Sequence, residues 1–138
     1  MEELQGNRFI AKQLAFNAEE LASDVEREVP SLNAEQMKMY QQIMASCELP
    51  VAEQIFFIDG PGGTGKTYLK NLLLKSVRGQ GHITLAVASS GIAALLLREG
   101  RTEHSRFKVP IELSPTAVCS ISKQGPLVEM FRRVKLIL

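Results

Sequence analysis

Cysteine is scarce in this chain and carries no metal-binding spacing: Cys47 and Cys119 stand far apart and are read as reduced thiols, excluding zinc and redox chemistry as expectations. Long apolar runs are lacking too. The longest, Ile92 to Leu97, falls far short of the ~20 residues of a membrane helix, and the acidic start does not resemble a signal peptide. An intracellular protein, nuclear or mitochondrial, is the expectation. No repeat or low-complexity tract is visible, and a content of 45% hydrophobic and 22% charged residues over 138 positions excludes general disorder. One globular domain's worth of chain remains.

The net charge is only +1, but it is unevenly distributed. Residues 1–29 carry three basic and seven acidic side chains, a net of −4, whereas residues 98–138 carry eight basic and four acidic, a net of +4. A polyanion would lie best along the C-terminal third. Charge alone fits a solvated basic face equally well.

Against these absences stands one dense motif. Gly60-Pro61-Gly62-Gly63-Thr64-Gly65-Lys66-Thr67 matches the phosphate-cradling loop in full, with its two glycines, lysine and hydroxyl residue at the required places. The backbone N–H groups of Gly62, Gly63, Thr64 and Gly65 can point at phosphates because glycine tolerates the dihedrals and permits close approach. Lys66 would neutralise the terminal phosphates, and the Thr67 hydroxyl would ligate magnesium. Tyr68, next in sequence, is counted with Gly60 to Thr67 in the nucleotide-binding set. ATP and Mg2+ are the implied cofactors.

The flanks fit. Ile55, Phe56, Phe57 and Ile58 form the unbroken apolar run of a strand buried on both faces of a parallel sheet. Leu69, Leu72, Leu73 and Val77 then recur at helical spacing, with Gly79 placed for a left-handed cap. A second strand is expected over Ile83 to Ala88, followed by a helix capped at Ser89 or Ser90 and running through Ile92, Leu95 and Leu96 to Gly100. Residues 101–124 read as a long functional loop containing Pro110 and Pro115. Leu127, Met130 and Phe131 suggest a short helix, and Val134 to Leu138 a final strand.

Upstream, Leu21, Val25 and Val29 mark a helical stretch closed by Pro30, and residues 1–30 are read as a helical lead-in. Met37, Tyr40, Ile43, Met44 and Cys47 share one face of a helix that starts at Asn33 and ends before Pro50. Residues 31–138 form the domain proper.

The run Ala88-Ser-Ser-Gly-Ile-Ala-Ala-Leu-Leu-Leu97, followed by Gly100-Arg-Thr-Glu-His-Ser-Arg-Phe-Lys-Val-Pro110, resembles the first single-strand contact motifs of PIF-family DNA helicases. These are the petite-integration-frequency helicases and their Helitron-transposon relatives of superfamily 1. The likeness covers residues 31–138 and implies a partial RecA-like P-loop domain: an α/β fold with a parallel sheet flanked by helices. It also implies ATP-driven unwinding, 5' to 3', with single-stranded DNA as partner.

Leu32-Asn-Ala-Glu-Gln36 resembles the upstream motif whose glutamine recognises adenine. Gln36 also stands three residues after Asn33, the spacing of a helix-capping box, and by spacing alone it would serve the cap; the resemblance favours the adenine contact. For DNA the resemblance implies Ser89, Ser90, Gly91, Thr102, His104, Ser105, Arg106, Phe107 and Lys108. A helix N-terminus at Ser89 to Gly91 can hold a backbone phosphate, the basic residues add charge, and Phe107 either stacks on a base or packs in the core. Glu103 departs from the pattern, where relatives carry a small residue.

Lys135-Leu-Ile-Leu138 looks like the strand that in the family runs into an Asp-Glu pair, and the sequence stops before that pair. Hydrolysis is therefore expected to be severely impaired, since the aspartate holds magnesium and the glutamate activates water. A second RecA-like domain is likewise missing, and marginal folding follows from the few elements left on the far side of the last strand. Two alternatives remain open: a nucleotide- and DNA-binding module without turnover, and an AAA-type ATPase.

Overall fold

The structure, a computed structural model, describes residues 7–48, 55–60, 65–88, 90–97, 99–102, 106–107 and 124–138. Its contacts divide the chain into two compact units, Phe16–Gly81 and Met1–Ala15 with His82–Leu138. Helices and short parallel strands make the class mixed α/β. Among the described residues no helix is long and apolar enough to cross a membrane.

The unit Phe16–Gly81 is helical. Helix α2 (Ala18–Glu28) starts where Asn17 accepts the Glu20 N–H at 3.2 Å, and Glu19 and Glu20 in its first turn complement the helix dipole. (Helix α1, Arg8–Leu14, belongs to the other unit.) Val29–Ser31 forms a single 3-10 turn with Pro30 inside it, which closes α2 as the sequence suggests. Helix α3 (Ala34–Cys47) opens on a complete capping box between Asn33 and Gln36. Of its expected face, Ile43 is buried, and Met37, Tyr40, Met44 and Cys47 are half-buried.

Helix α4 (Lys66–Gly79) is the hub of this unit. Leu69, Leu72, Leu73, Leu74 and Val77 are all buried, each contributing about 1.5–3 kcal/mol of apolar transfer. Polar ties hold it on both sides: Tyr40 and Ser76 share a hydrogen bond of 2.9 Å from α3, and Lys75 reaches Glu28 at 2.8 Å and Asp24 at 3.7 Å on α2. The Arg78 guanidinium lies over the Phe16 ring, 4.5 Å from its centroid. Gly79 is the last helical residue, not a left-handed cap. Its bare Cα faces α2, where an added Cβ would stand 3.3 Å from the Ala22 nitrogen. The left-handed position is Gly81, with φ 80°, two residues further on.

One expectation in this unit fails. Among the described residues Ile55–Ile58 joins no ladder, and Ile55 is 99% and Phe57 86% exposed. An apolar run becomes a buried strand only with hydrogen-bonded neighbours and covered faces, neither of which its own residues supply.

The other unit holds the strands, in two two-stranded parallel sheets. Helix α1 (Arg8–Leu14) is capped by Asn7, whose side chain accepts the Phe9 and Ile10 N–H groups at 3.0 and 3.2 Å and donates to the Pro126 carbonyl at 2.8 Å. Strand β1 (Ile83–Leu85) and β2 (Val87–Ala88) replace the single strand expected, interrupted at the fully buried Ala86. Helix α5 (Gly91–Leu95) leads to β3 (Arg101–Thr102), and helix α6 (Pro126–Arg132) to β4 (Val134–Ile137), the last two as the sequence suggests.

Both strand pairs are parallel, β1 with β4 and β2 with β3. Register between β1 and β4 shifts after Ile83, and the Thr84 hydroxyl donates to the Leu136 carbonyl at 2.9 Å. Ile10, Ile83, Leu85 and Met130 form the core, with Phe9, Leu127, Phe131 and Val134 packed on it.

Helix α5 falls short of its expected end at Gly100. It stops at Leu95, Glu99 takes φ 55°, and Ile92 and Leu96 are 82% and 62% exposed. Five residues form little more than one turn, too short for propagation to offset nucleation.

Candidate nucleotide-binding site

The end of the phosphate motif is held by helix geometry. Gly65 takes φ 82°, ψ 20°, which only glycine adopts without strain, and caps α4 so that Lys66 and Thr67 open its first turn. The α4 N-terminus thus presents its dipole and unpaired N–H groups beside a lysine, the arrangement that attracts a phosphate. Lys66 Nζ donates to the Gly60 carbonyl, and Gly60 N–H is held by Asp59 Oδ1 at 2.8 Å. Thr67 is exposed, leaving its hydroxyl accessible to a hard cation.

A cavity of about 250 Å3 opens beside these groups. Asn33, Glu35, Gln36 and Met39 of the α3 start line one wall, and Ile58 to Gly60 with Gly65, Lys66 and Leu69 line the rest. Gln36 links the walls. Its Oε1 accepts the Asn33 N–H at 3.0 Å, its own N–H donates to Asn33 Oδ1 at 2.9 Å, and its Nε2 donates to the Gly65 carbonyl at 3.4 Å. The capping reading of Gln36 is therefore realised, on the rim of the cavity where an adenine contact would also have to lie. A cradle built on Gly65 and Lys66, in a cavity lined by polar Asn33 and Gln36 and by apolar Met39, Ile58 and Leu69, with the exposed Thr67 next to Lys66 outside the lining, fits a nucleoside triphosphate.

Sequence reasoning placed Gln36, Gly60, Gly65 and Lys66 together, and the structure brings them together. Pro61, Gly62, Gly63 and Thr64 lie outside the described residues. Tyr68 faces away from the cavity's lining: its hydroxyl shares a 2.8 Å hydrogen bond with Ser31 Oγ. Asn33, Glu35 and Met39 were missed as lining residues. Asn33 and Met39 stand three residues before and after Gln36, on its side of the helix start, which was the available signal; Glu35, next to Gln36, carried none.

The expected DNA contacts fall in the other unit, and several can be placed. Ser90 caps α5, accepting the Ala93 N–H at 3.2 Å, so its hydroxyl oxygen serves the helix. Gly91 opens that helix, and Thr102 lies on β3. Arg106 is buried at 6% exposure, and among the described residues its Nε has no partner. Burial first, and then the charge of Arg101, hold its guanidinium below the usual arginine range. The Phe107 ring packs on Phe131 with centroids 5.7 Å apart. Ser89, Glu103, His104, Ser105 and Lys108 lie outside the described residues.

A phosphate cradle at a helix start in a mixed α/β chain defines a nucleotide-binding protein. The family model of PIF1-like helicases matches residues 31–138, and the chain belongs to that family. Membership makes it a helicase by family, one that implies the use of ATP and magnesium in general and binding to DNA. It also removes the support for an AAA-type reading. Among curated proteins, none matches the chain.

Proposed function

We propose that this chain supplies the ATP-binding part of a DNA helicase motor of RecA-like type, which couples ATP hydrolysis to 5'-to-3' movement on single-stranded DNA. The observation that carries the nucleotide half is the cradle itself: Gly65 in the left-handed region, Lys66 behind it at the start of α4, and Gln36 across the same cavity. In this reading Gly60 to Gly65 wrap the phosphates and Lys66 offsets their charge. Thr67 holds magnesium, Tyr68 flanks the site, and Gln36 meets the adenine edge. The bound magnesium would polarise the phosphates, while the protein groups bind and orient them.

The DNA half rests on family membership and on the basic C-terminal third, with contacts assigned to Ser89, Ser90, Gly91, Thr102, His104, Ser105, Arg106, Phe107 and Lys108. Turnover by these 138 residues alone is expected to be low. Asp59 holds the Gly60 N–H in the cradle wall, a place from which it anchors the loop instead of activating an attacking water.

The test is binding before turnover. Calorimetric titration of the chain with magnesium-ATP should show binding that Lys66→Ala weakens by roughly 150-fold, about 3 kcal/mol. Single-stranded DNA should bind with an affinity that falls steeply with salt and weakens on Lys108→Ala. Salt-indifferent DNA binding would count against the helicase assignment of this chain. DNA-stimulated hydrolysis by the 138 residues would show that no further acid is needed.

A further inference from the structure

Both ends of the Gln36 side-chain amide are engaged by the chain's own backbone. Oε1 accepts the Asn33 backbone N–H, and Nε2 donates to the Gly65 carbonyl. Reversing the amide would set donor against donor at Asn33 and oxygen against oxygen at Gly65, so one flip state alone is electrostatically satisfied. That state leaves one lone pair on Oε1 and one hydrogen on Nε2 unused, in a side chain that lines the cavity.

An acceptor beside a donor is complementary to adenine, whose N6 amino group donates and whose N7 accepts. Guanine presents acceptors at both O6 and N7, so the same amide would meet one of them with its own oxygen. We propose that Asn33 and Gly65 are positioning residues for purine selection: the Asn33 N–H and the Gly65 carbonyl lock the Gln36 amide in the orientation that accepts adenine and rejects guanine. This rests on the reading of Gln36 as the adenine contact, and adds what fixes its orientation. Gly65 is constrained twice over, by its positive φ and because a Cβ there would press on Gln36 Nε2.

The lock can be opened without dismantling the helix. Asn33 has φ −72°, and Leu32 before it has φ −67°, ψ 139°, values that suit a proline and the residue preceding one. Asn33→Pro therefore deletes the N–H that orients Gln36, whereas Asn33→Ala keeps that N–H and loses only the side-chain bond to the Gln36 nitrogen. The proline variant loses this side-chain bond as well, so the difference between the two isolates the N–H.

Dissociation constants for magnesium complexes of ATP, GTP and base-free tripolyphosphate, measured by calorimetry on the chain and its variants, provide the test. The unmodified chain should prefer ATP over GTP by about ten-fold or more. Asn33→Pro should lose most of that preference and Asn33→Ala should keep most of it, with tripolyphosphate affinity unchanged in both. If Gln36→Ala abolishes the preference while Asn33→Pro leaves it intact, the positioning role is wrong and the adenine contact survives. If Gln36→Ala leaves the preference unchanged, the adenine contact itself is wrong.

Should Asn33→Pro lose tripolyphosphate binding through unfolding, nuclear Overhauser contacts in the unmodified chain decide. Contacts from the Gln36 side-chain N–H protons to Gly65 and Lys66 support the lock. Close contact of those protons with the Asn33 N–H overturns it.

Discussion

The chain contains two segments written alike, an apolar run followed by small residues and a helix, and they fold in opposite ways. In the first, helix α4 is packed along its whole apolar face, while the run Ile55–Ile58 joins no ladder among the described residues and turns Ile55 and Phe57 to solvent. In the second, β1 is buried and paired while α5 has only five residues and turns Ile92 and Leu96 to solvent. The difference follows from where each element finds its hydrogen bonds. A helix of fourteen residues satisfies most of its backbone internally and needs only neighbours for its apolar face, which α2 and α3 provide. A strand depends on a partner for every backbone group, and β1 has one in β4.

The largest effect should come from the packed helix. Leu73 has no exposed surface, so Leu73→Ala is expected to cost about 3–4 kcal/mol in urea unfolding followed by circular dichroism. A loss below 1 kcal/mol would mean that α4 is not the hub of its unit. Next comes the paired strand: Leu85→Ala, at 1% exposure in the core with Ile10 and Met130, should cost about 2–3 kcal/mol. If Leu85→Ala proved neutral, the contrast between the segments would collapse.

A smaller effect tests the connection between them. Gly81 has φ 80° and open space around it, so Gly81→Ala should cost about 1 kcal/mol from backbone strain alone. Gly79→Ala poses a different question. Its Cβ would enter ordinary helical backbone but crowd the Ala22 nitrogen at 3.3 Å, so any cost there would report packing against α2. The two glycines look interchangeable in sequence, yet they serve a turn and a close approach respectively.

That pair shows how far the sequence could be read. Caps and periodicity were legible because their causes are local: Asn33 with Gln36, the α3 face through Ile43, and the α6 and β4 pair after Pro126. The phosphate motif was legible because its glycine and lysine have few substitutes, and Gly65 and Lys66 stand where it requires. Partnership was not legible. Nothing in Ile55–Ile58 distinguishes a run that has found its neighbours from one that has not, and nothing in Ile83–Ala88 announces the break at Ala86. The lining role of Asn33 and Glu35 was hidden because a polar residue at a helix start is fully explained by capping.

The smallest expected effect sits on the exposed halves of both segments. Phe57→Ser and Ile92→Ser should each change unfolding free energy by no more than about 0.5 kcal/mol, since both side chains are already in water. The two variants have a second readout, because bare apolar side chains favour self-association. Sedimentation of the chain at rising concentration should show association that both substitutions reduce. A large destabilisation by Phe57→Ser would instead reveal that this run is covered in solution, and with it a sheet wider than β1 and β4.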